Sequence, residues 1–439
     1  MVPISDSPAD PAGQSASVVS ALDEAPHEAL AELIRRALAD NAGWLPFDRF
    51  MALALYAPGL GYYANHRRKF GSMPASGSDF VTAPELSPLF ARALAVQLAQ
   101  ALAAVEAAGG LAEVMEFGAG SGALAEGLLD GLDALGLVVQ RYAIVDLSGT
   151  LRERQQTRLA RFGSRVQWLD TLPETFDGVL LGNELLDAMP VQLLAFDGAQ
   201  WAERGVVADG AAFAWSDRPT PLRPPLAAAF VPGTVTEIAP QAEAFISTVA
   251  GLLRCGVAIF IDYGFPEAEF YLPQRHSGTL MCHQAHRADS NPLVAVGAKD
   301  ITAHVNFSAI ALAGQDAGLD VIGYTSQARF LLNCGLVDLL VSASLSERAM
   351  AQKLVNEHEM GELFKVIGFA RGLQFEPLGF AQGDRTHRLC WWPHLQDIDH
   401  ALADRLLLGA DPVRRPAALA AQDRPGPAAG RLNAALSGP

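Results

Sequence analysis

The 439-residue chain carries a formal net charge of -16, and half of its residues are hydrophobic. That is enough for one large or two ordinary domains with a full core, and the acidity argues against a sequence-independent nucleic-acid binder or a binder of anionic membranes. Cys255, Cys282, Cys334 and Cys390 are scattered with no C-x-x-C pair and read as reduced thiols of a cytoplasmic protein, while no apolar run is expected to span a membrane.

Residues 1–25 are small, polar and Pro-containing, with Asp6, Asp10, Asp23 and Glu24 and no Lys or Arg. They are expected to be disordered and to be neither a secretory signal nor a basic transit peptide. Residues 26–110 read as a helical region with a lid over the site. Leu30, Leu33, Ile34, Ala37 and Leu38 form one face of a helix over 27–40, and a second helix covers 46–56. Tyr56 to Tyr63 is a turn flanked by aromatics, and residues 64–80 form a polar, glycine-rich loop ending in Gly77-Ser78-Asp79-Phe80. Thr82 and Glu85 have capping-box spacing ahead of an apolar stripe from Leu86 to Leu98. The alternative for Glu85 is that the Asp79–Glu85 corner lines the site.

The core is expected over 111–380. An apolar run from Leu111 to Phe117 reads as a buried strand; three glycines at alternate positions and a helix from Ala123 follow. This is the strand, glycine loop and helix that opens a doubly wound α/β sheet. Two ligands fit the loop. Gly118-x-Gly120-x-x-Ala123 matches a dinucleotide fingerprint, and Glu116-x-Gly118-x-Gly120-x-Gly122 matches the loop of S-adenosylmethionine (SAM) methyltransferases. Tyr142 to Asp146 is a second strand, whose terminal Asp146 lies 24 residues beyond Gly122, where either cofactor would present its ribose. Arg165 to Leu169, with Asp170 at its end, is a third. Asp177 to Gly182 is a fourth, running into Asn183-Glu184-Leu185-Leu186-Asp187. An acid cluster at the carboxyl end of a central strand is well placed for chemistry. Insertions are expected at 191–232 (hairpins, with turns at Asp197-Gly198 and Asp209-Gly210), 265–306 and 327–360 (helical). Between and after them come strands five (Val257 to Ile261), six (Asp320 to Thr325) and seven (Phe364 to Phe369). Cys282-His283-x-x-His286 is too weak a pattern to assign a metal, and residues 381–439 read as a largely flexible tail.

Several of these stretches together resemble the MidA-type SAM-dependent methyltransferases. They are Leu55-Tyr56-Ala57-Pro58 with Gly61-Tyr62-Tyr63, Ser78 to Glu85, Glu116 to Gly122, Asn183 to Val191, Ile261 to Gly264, and Asp300 to Val305. The resemblance covers roughly residues 27 to 380. It implies a class I methyltransferase fold, a seven-stranded, mostly parallel α/β sheet, with SAM as cofactor. It also implies methylation of an arginine in a partner protein, as in the mitochondrial members, which act on a respiratory-complex subunit. Two positions depart from the family pattern: Asp146 stands where Glu is usual, and Asn306 where Asp is frequent.

In this reading Glu116, Gly118, Ala119, Gly120 and Gly122 hold the methionine part of SAM, with Asn183 beside them. Asp146 and Leu147 meet the ribose, and Leu169 and Asp170 meet the adenine. Glu184 and Asp187 grip the guanidinium, and His304 orients a carboxylate or takes the departing proton. Asp79, Glu85, Asp262, Tyr263 and Asn306 form the outer substrate side. No nucleic acid, membrane span or metal is expected, and a homodimer is left open. Two other readings remain: a SAM-binding assembly chaperone without catalysis, and a NAD-dependent oxidoreductase supported only by the dinucleotide spacing.

Overall fold

A computed structural model of the chain describes residues 13–65, 82–226, 230–284, 287–374 and 376–381. Its centre is a sheet of seven strands in line: β1 (Glu113–Phe117), β2 (Arg141–Val145), β3 (Val166–Trp168), β4 (Phe176–Asn183), β5 (Leu253–Phe265), β6 (Asp320–Ser326) and β7 (Phe364–Arg371). Their spatial order is β3-β2-β1-β4-β5-β7-β6. β7 runs antiparallel to both its neighbours, while the β1, β2, β3, β4 and β5 pairings are parallel. A two-residue strand, Val305–Asn306, pairs with the far end of β5. The order reverses beside β1 and β4, and that is where an open α/β sheet leaves a crevice for ligands.

Alternation along the strands sends side chains to two covered faces. Val114, Val179, Leu181, Val257, Ile259 and Val366 pack with helices Pro88–Ala107 and Ala123–Ala134. On the other face lie Pro240–Leu252 and Phe307–Asp316, with Phe245 edge-on to Phe117 and Phe260. Pro88–Ala107 is long and apolar enough to cross a membrane by length and composition, a feature the expectation of no membrane span overlooked. Here it is a core helix: Leu89, Phe90, Leu94, Leu98, Ala101, Leu102 and Val105 are all fully buried.

A second core lies beside the first. Strands Gln192–Phe196, Trp201–Asp209, Ala212–Pro219 and Val235–Ile238 form an antiparallel insertion, joined by Leu45–Pro46. Helix Phe47–Tyr56 buries Phe47, Phe50 and Met51 against this insertion and the helix before it, which supplies Leu30, Ile34 and Leu38. That helix starts at Gly13, inside the segment expected to be disordered. A three-stranded sheet of Met281–Gln284, Arg287–Asp289 and Asp300–Thr302 completes this side. The insertion at 327–360 is helical, with Ser344 and Glu347 forming a reciprocal cap. The C-terminal tail from residue 382, His286 and Asp79 lie outside the described residues.

Candidate functional site

The glycine loop leaves β1 through Gly118 (φ 66°), whose N–H donates to Val145 O at 2.9 Å. A Cβ there would sit 3.0 Å from Leu185 Cδ1, so the position needs glycine for conformation and for space. Helix Ala123–Ala134 then begins with Ser121 Oγ accepting from Ala123 N. Glu116, at the end of β1, is buried and accepts from Tyr142 Oη at 2.7 Å. Its burial pushes its carboxyl up to about 7. Asp146, following β2, accepts from Ser148 N (2.9 Å) and from Gln155 Nε2 (2.7 Å), and burial raises its carboxyl above the usual range. The Gln155 amide, fully buried, also donates to Gly120 O (3.0 Å) and accepts from Trp168 Nε1 (2.9 Å). One glutamine thus ties the loop to the acid at the end of the next strand.

The acid cluster forms where β4 ends. Glu184 adopts φ 50°, a left-handed conformation uncommon outside glycine, and its N–H donates to Ile261 O at 2.8 Å on β5. Its Oε1 accepts from Ala83 N (3.3 Å) and Asn183 Nδ2 (3.1 Å). Burial, then the Asp187 charge, push Glu184 up to about 8. Asp187 rises to about 6 through burial, against a hydrogen bond from Tyr263. Asp262 sits behind this turn. Its Oδ2 accepts from the N–H groups of Leu185 (3.0 Å), Leu186 (2.8 Å) and Asp187 (3.2 Å), and its Oδ1 from Tyr263 N (2.9 Å). A carboxylate from β5 therefore shapes the backbone that presents the two acids of β4.

These parts open on one cavity of about 890 Å³. Glu116, Gly118, Ala119, Gly120, Asp146, Leu147 and Asn183 line it, as do Glu184, Asp187, Tyr263 and His304. The His304 ring stands edge-on to Tyr263 and Phe265. Burial, helped by the nearby Arg275 charge, lowers His304 to about 4, so its imidazole is neutral at pH 7. Its Nδ1 has no hydrogen-bond partner among the described residues.

Other predicted residues sit elsewhere. Leu169 and Asp170 do not line the cavity: β3 is only three residues long at the sheet edge, and exposed Asp170 pairs with Arg152 at 2.7 Å. Leu172 lines the cavity instead. Asp262 is a support for the turn and not part of the wall. Asn306 caps helix Phe307–Asp316 through Ala309 N (3.2 Å). Gly122 (φ 82°) is the left-handed residue ahead of helix Ala123–Ala134, turned away from the wall. The Thr82–Glu85 capping box is not formed: Thr82 makes no side-chain cap, and Ser87 caps the long helix after a break. Glu85 instead meets Ser121 and Arg158. Asp300 was not singled out by the sequence reading, although it opens one of the quoted motifs. Its carboxylate accepts from Tyr63 Oη at 2.9 and 3.0 Å, and Tyr63 stacks on Tyr56; all three line the cavity. Among the described residues no three His, Cys, Asp or Glu side chains gather as a metal site. Cys282 is buried in its strand, paired with Ile301 and Asp289 across the small sheet.

Comparison with known proteins agrees with this geometry. A family model described as "Putative S-adenosyl-L-methionine-dependent methyltransferase" matches residues 93–325. A crystal structure of a COG1565 superfamily member from Burkholderia thailandensis, bound to S-adenosyl-homocysteine, is 52% identical with a TM-score of 0.79, covering 84% of this chain and 98% of that one. The protein arginine methyltransferase NDUFAF7, mitochondrial, of Danio rerio is 27% identical over 76% of this chain and 86% of its own. Its human counterpart is 25% identical over 73% and 77%. The mitochondrial names overturn the cytoplasmic location expected from the composition: free thiols report a reducing milieu, and do not say which compartment supplies it.

Proposed function

This chain belongs to the MidA-type family of SAM-dependent methyltransferases, and we propose that its methyl acceptor is an arginine guanidinium of a partner protein. The cofactor is SAM, which makes Gly118-x-Gly120-x-x-Ala123 part of a SAM loop and not a nicotinamide fingerprint. The cavity fits that group. Gly118 leaves a wall without side chains, and Asn183 Oδ1 is a buried acceptor with no partner among the described residues, suited to an ammonium. The Gly118–Gly122 loop with Asn183 would hold the methionine part, and Asp146 the ribose hydroxyls. When bound, SAM supplies an electrophilic methyl on a sulfonium, so the protein contributes mainly proximity and alignment.

The observation that carries the acceptor is the group of carboxylates on one cavity wall, the buried Asp187 and Asp300 with the half-buried Glu184. Acids pushed to about 8 and 6 are short of a cation, and a guanidinium offers a planar fork that pairs carboxylates bidentately. Such pairing localises positive charge away from the nitrogen that must attack. The Tyr56 and Tyr63 rings add an apolar wall suited to the flat faces of the guanidinium. A guanidinium that gains a methyl must shed a proton. Glu184, near 8, holds its own proton in the empty site at neutral pH; a paired guanidinium favours its ionised form, and that carboxylate can then take the departing proton. The curated relatives' name as arginine methyltransferases supports the same acceptor.

The test is transfer of labelled methyl from SAM to lysate proteins, followed by acid hydrolysis and amino-acid analysis. Label on arginine is expected. Glu184→Gln should reduce transfer by at least 100-fold while SAM affinity stays within a few-fold of wild type. Label confined to lysine or to a carboxylate, or full transfer by Glu184→Gln, would refute the assignment. SAM binding without any methylated product would favour the assembly-chaperone reading.

A further inference from the structure

A loop of three glycines with positive φ holds its shape poorly by itself, so something outside it must fix it before a ligand arrives. Two side chains of helix Gly149–Leu159, three residues apart and hence on one face, do this. Gln155 holds Gly120 O. Arg158 holds Ser121, with Nη1 donating to Ser121 Oγ at 2.8 Å.

Arg158 also reaches a third element. The segment Thr82–Leu86 passes over the loop, with Thr82 and Pro84 lining the cavity. It is pinned on one side by Ala83 N donating to Glu184 Oε1. On the other, the Glu85 carboxylate accepts from the Ser121 hydroxyl and from Arg158 Nη1 at 3.0 Å. Arg158 Nε separately meets Glu126 Oε2 at 2.9 Å. Neither Arg158 nor Glu85 lines the cavity.

We propose that Arg158 is a positioning residue for the cofactor: by pairing with Glu85 and bonding Ser121 it fixes the Thr82–Leu86 segment and the glycine loop against each other, and so sets SAM affinity without touching SAM. A loop and strap ordered in advance lose less freedom on binding, and that saving appears as affinity. The Arg158–Glu85 contact is partly exposed, so it contributes little to global stability and is weakened by salt.

The experiment is calorimetric titration of the full chain with S-adenosyl-homocysteine. R158Q is expected to raise its Kd by about tenfold, the scale of one charge-assisted hydrogen bond. At saturating SAM, kcat and the acceptor KM should stay at wild-type values. E85Q should weaken binding in the same direction, and R158Q/E85Q should be no worse than R158Q alone, since R158Q already removes the Arg158–Glu85 contact. E126Q, which weakens the pairings of Glu126 with Arg158 and Arg161 and leaves Glu85 and Ser121 in place, should bind normally. Raising salt should weaken binding in the wild type more than in R158Q. Wild-type affinity in R158Q and E85Q would overturn the proposal. So would an equal loss of affinity in E126Q accompanied by a lowered melting temperature, because that would make Arg158 a general packing residue.

Discussion

Asp262 offers the sharpest test of how the acid cluster is built. It is almost fully buried, and four backbone N–H groups converge on it, three of them from the Leu185–Asp187 turn. Asp262→Ala leaves four buried donors without acceptors. At the low end of about 1 kcal/mol each, the loss is about 4 kcal/mol, a large share of the 5–15 kcal/mol that typically holds a domain together. Asp262→Asn keeps the shape and one oxygen for the three turn donors. It strands only the Tyr263 N–H, and it takes an ionisable group away from beside Asp187 and Glu184. Its cost should be about 1–2 kcal/mol. Denaturant unfolding followed by tryptophan fluorescence measures both variants, with S-adenosyl-homocysteine titration to check that the glycine loop is intact. If the alanine variant lost under 1 kcal/mol, or if asparagine cost as much as alanine, the picture of Asp262 as the anchor of the turn would be wrong.

Three further outcomes follow from the same contacts. Glu184, Glu116 and Asp187 have folded values near 8, 7 and 6 against ordinary values of 4.5, 4.5 and 3.8; the folded chain keeps protons that the unfolded chain has released, so these three make stability without ligand fall as pH rises from about 4 to about 8, outweighing the single opposite contribution of His304 between about 4 and about 6.5, and melting curves across that range would show the fall. Gly118→Ala must adopt φ 66° and crowd Leu185, costing about 1–2 kcal/mol of stability and weakening S-adenosyl-homocysteine binding by tenfold or more in calorimetry. Gln155→Ala strands the Trp168 N–H and frees Gly120 O and Asp146; a loss of about 2–4 kcal/mol in denaturant unfolding is expected, together with weaker cofactor binding.

The sheet was legible because each core strand is an apolar run bounded by turn residues, and a buried parallel strand demands little else. The glycine loop, Asp146 and the Glu184–Asp187 cluster were legible for a related reason: topology places the ends of such strands at the crevice whatever the side chains do. What sequence could not supply was direction. Glu85 has the spacing of a cap, yet a break at Ser87 turns it toward Arg158. Asp262 and Asn306 are residue types that serve a ligand or a backbone equally well, and here both serve the backbone. Asp170 turns outward after its edge strand to pair with Arg152, and Leu172 meets the cavity in its place. Gln155 and Arg158 belong to a polar helix with no periodic signal, and only the folded contacts reveal that they brace the loop.

The two hydrophobic cores carry different halves of the site. The glycine loop and Asp146 rest on the layer around Val114, Ile144 and Leu128. Tyr56, Tyr63 and Asp300 rest on the layer around Phe50, Met51 and Ile301, built from the N-terminal helices and the insertions. Substitutions in one layer need not be repacked in the other. The wall formed by Tyr56, Tyr63 and Asp300 can therefore drift through the second layer while the glycine loop and Asp146 are inherited intact through the first, and a chimaera that exchanges residues 27–65 together with 191–238 and 280–303 between relatives is the natural unit for transplanting that wall.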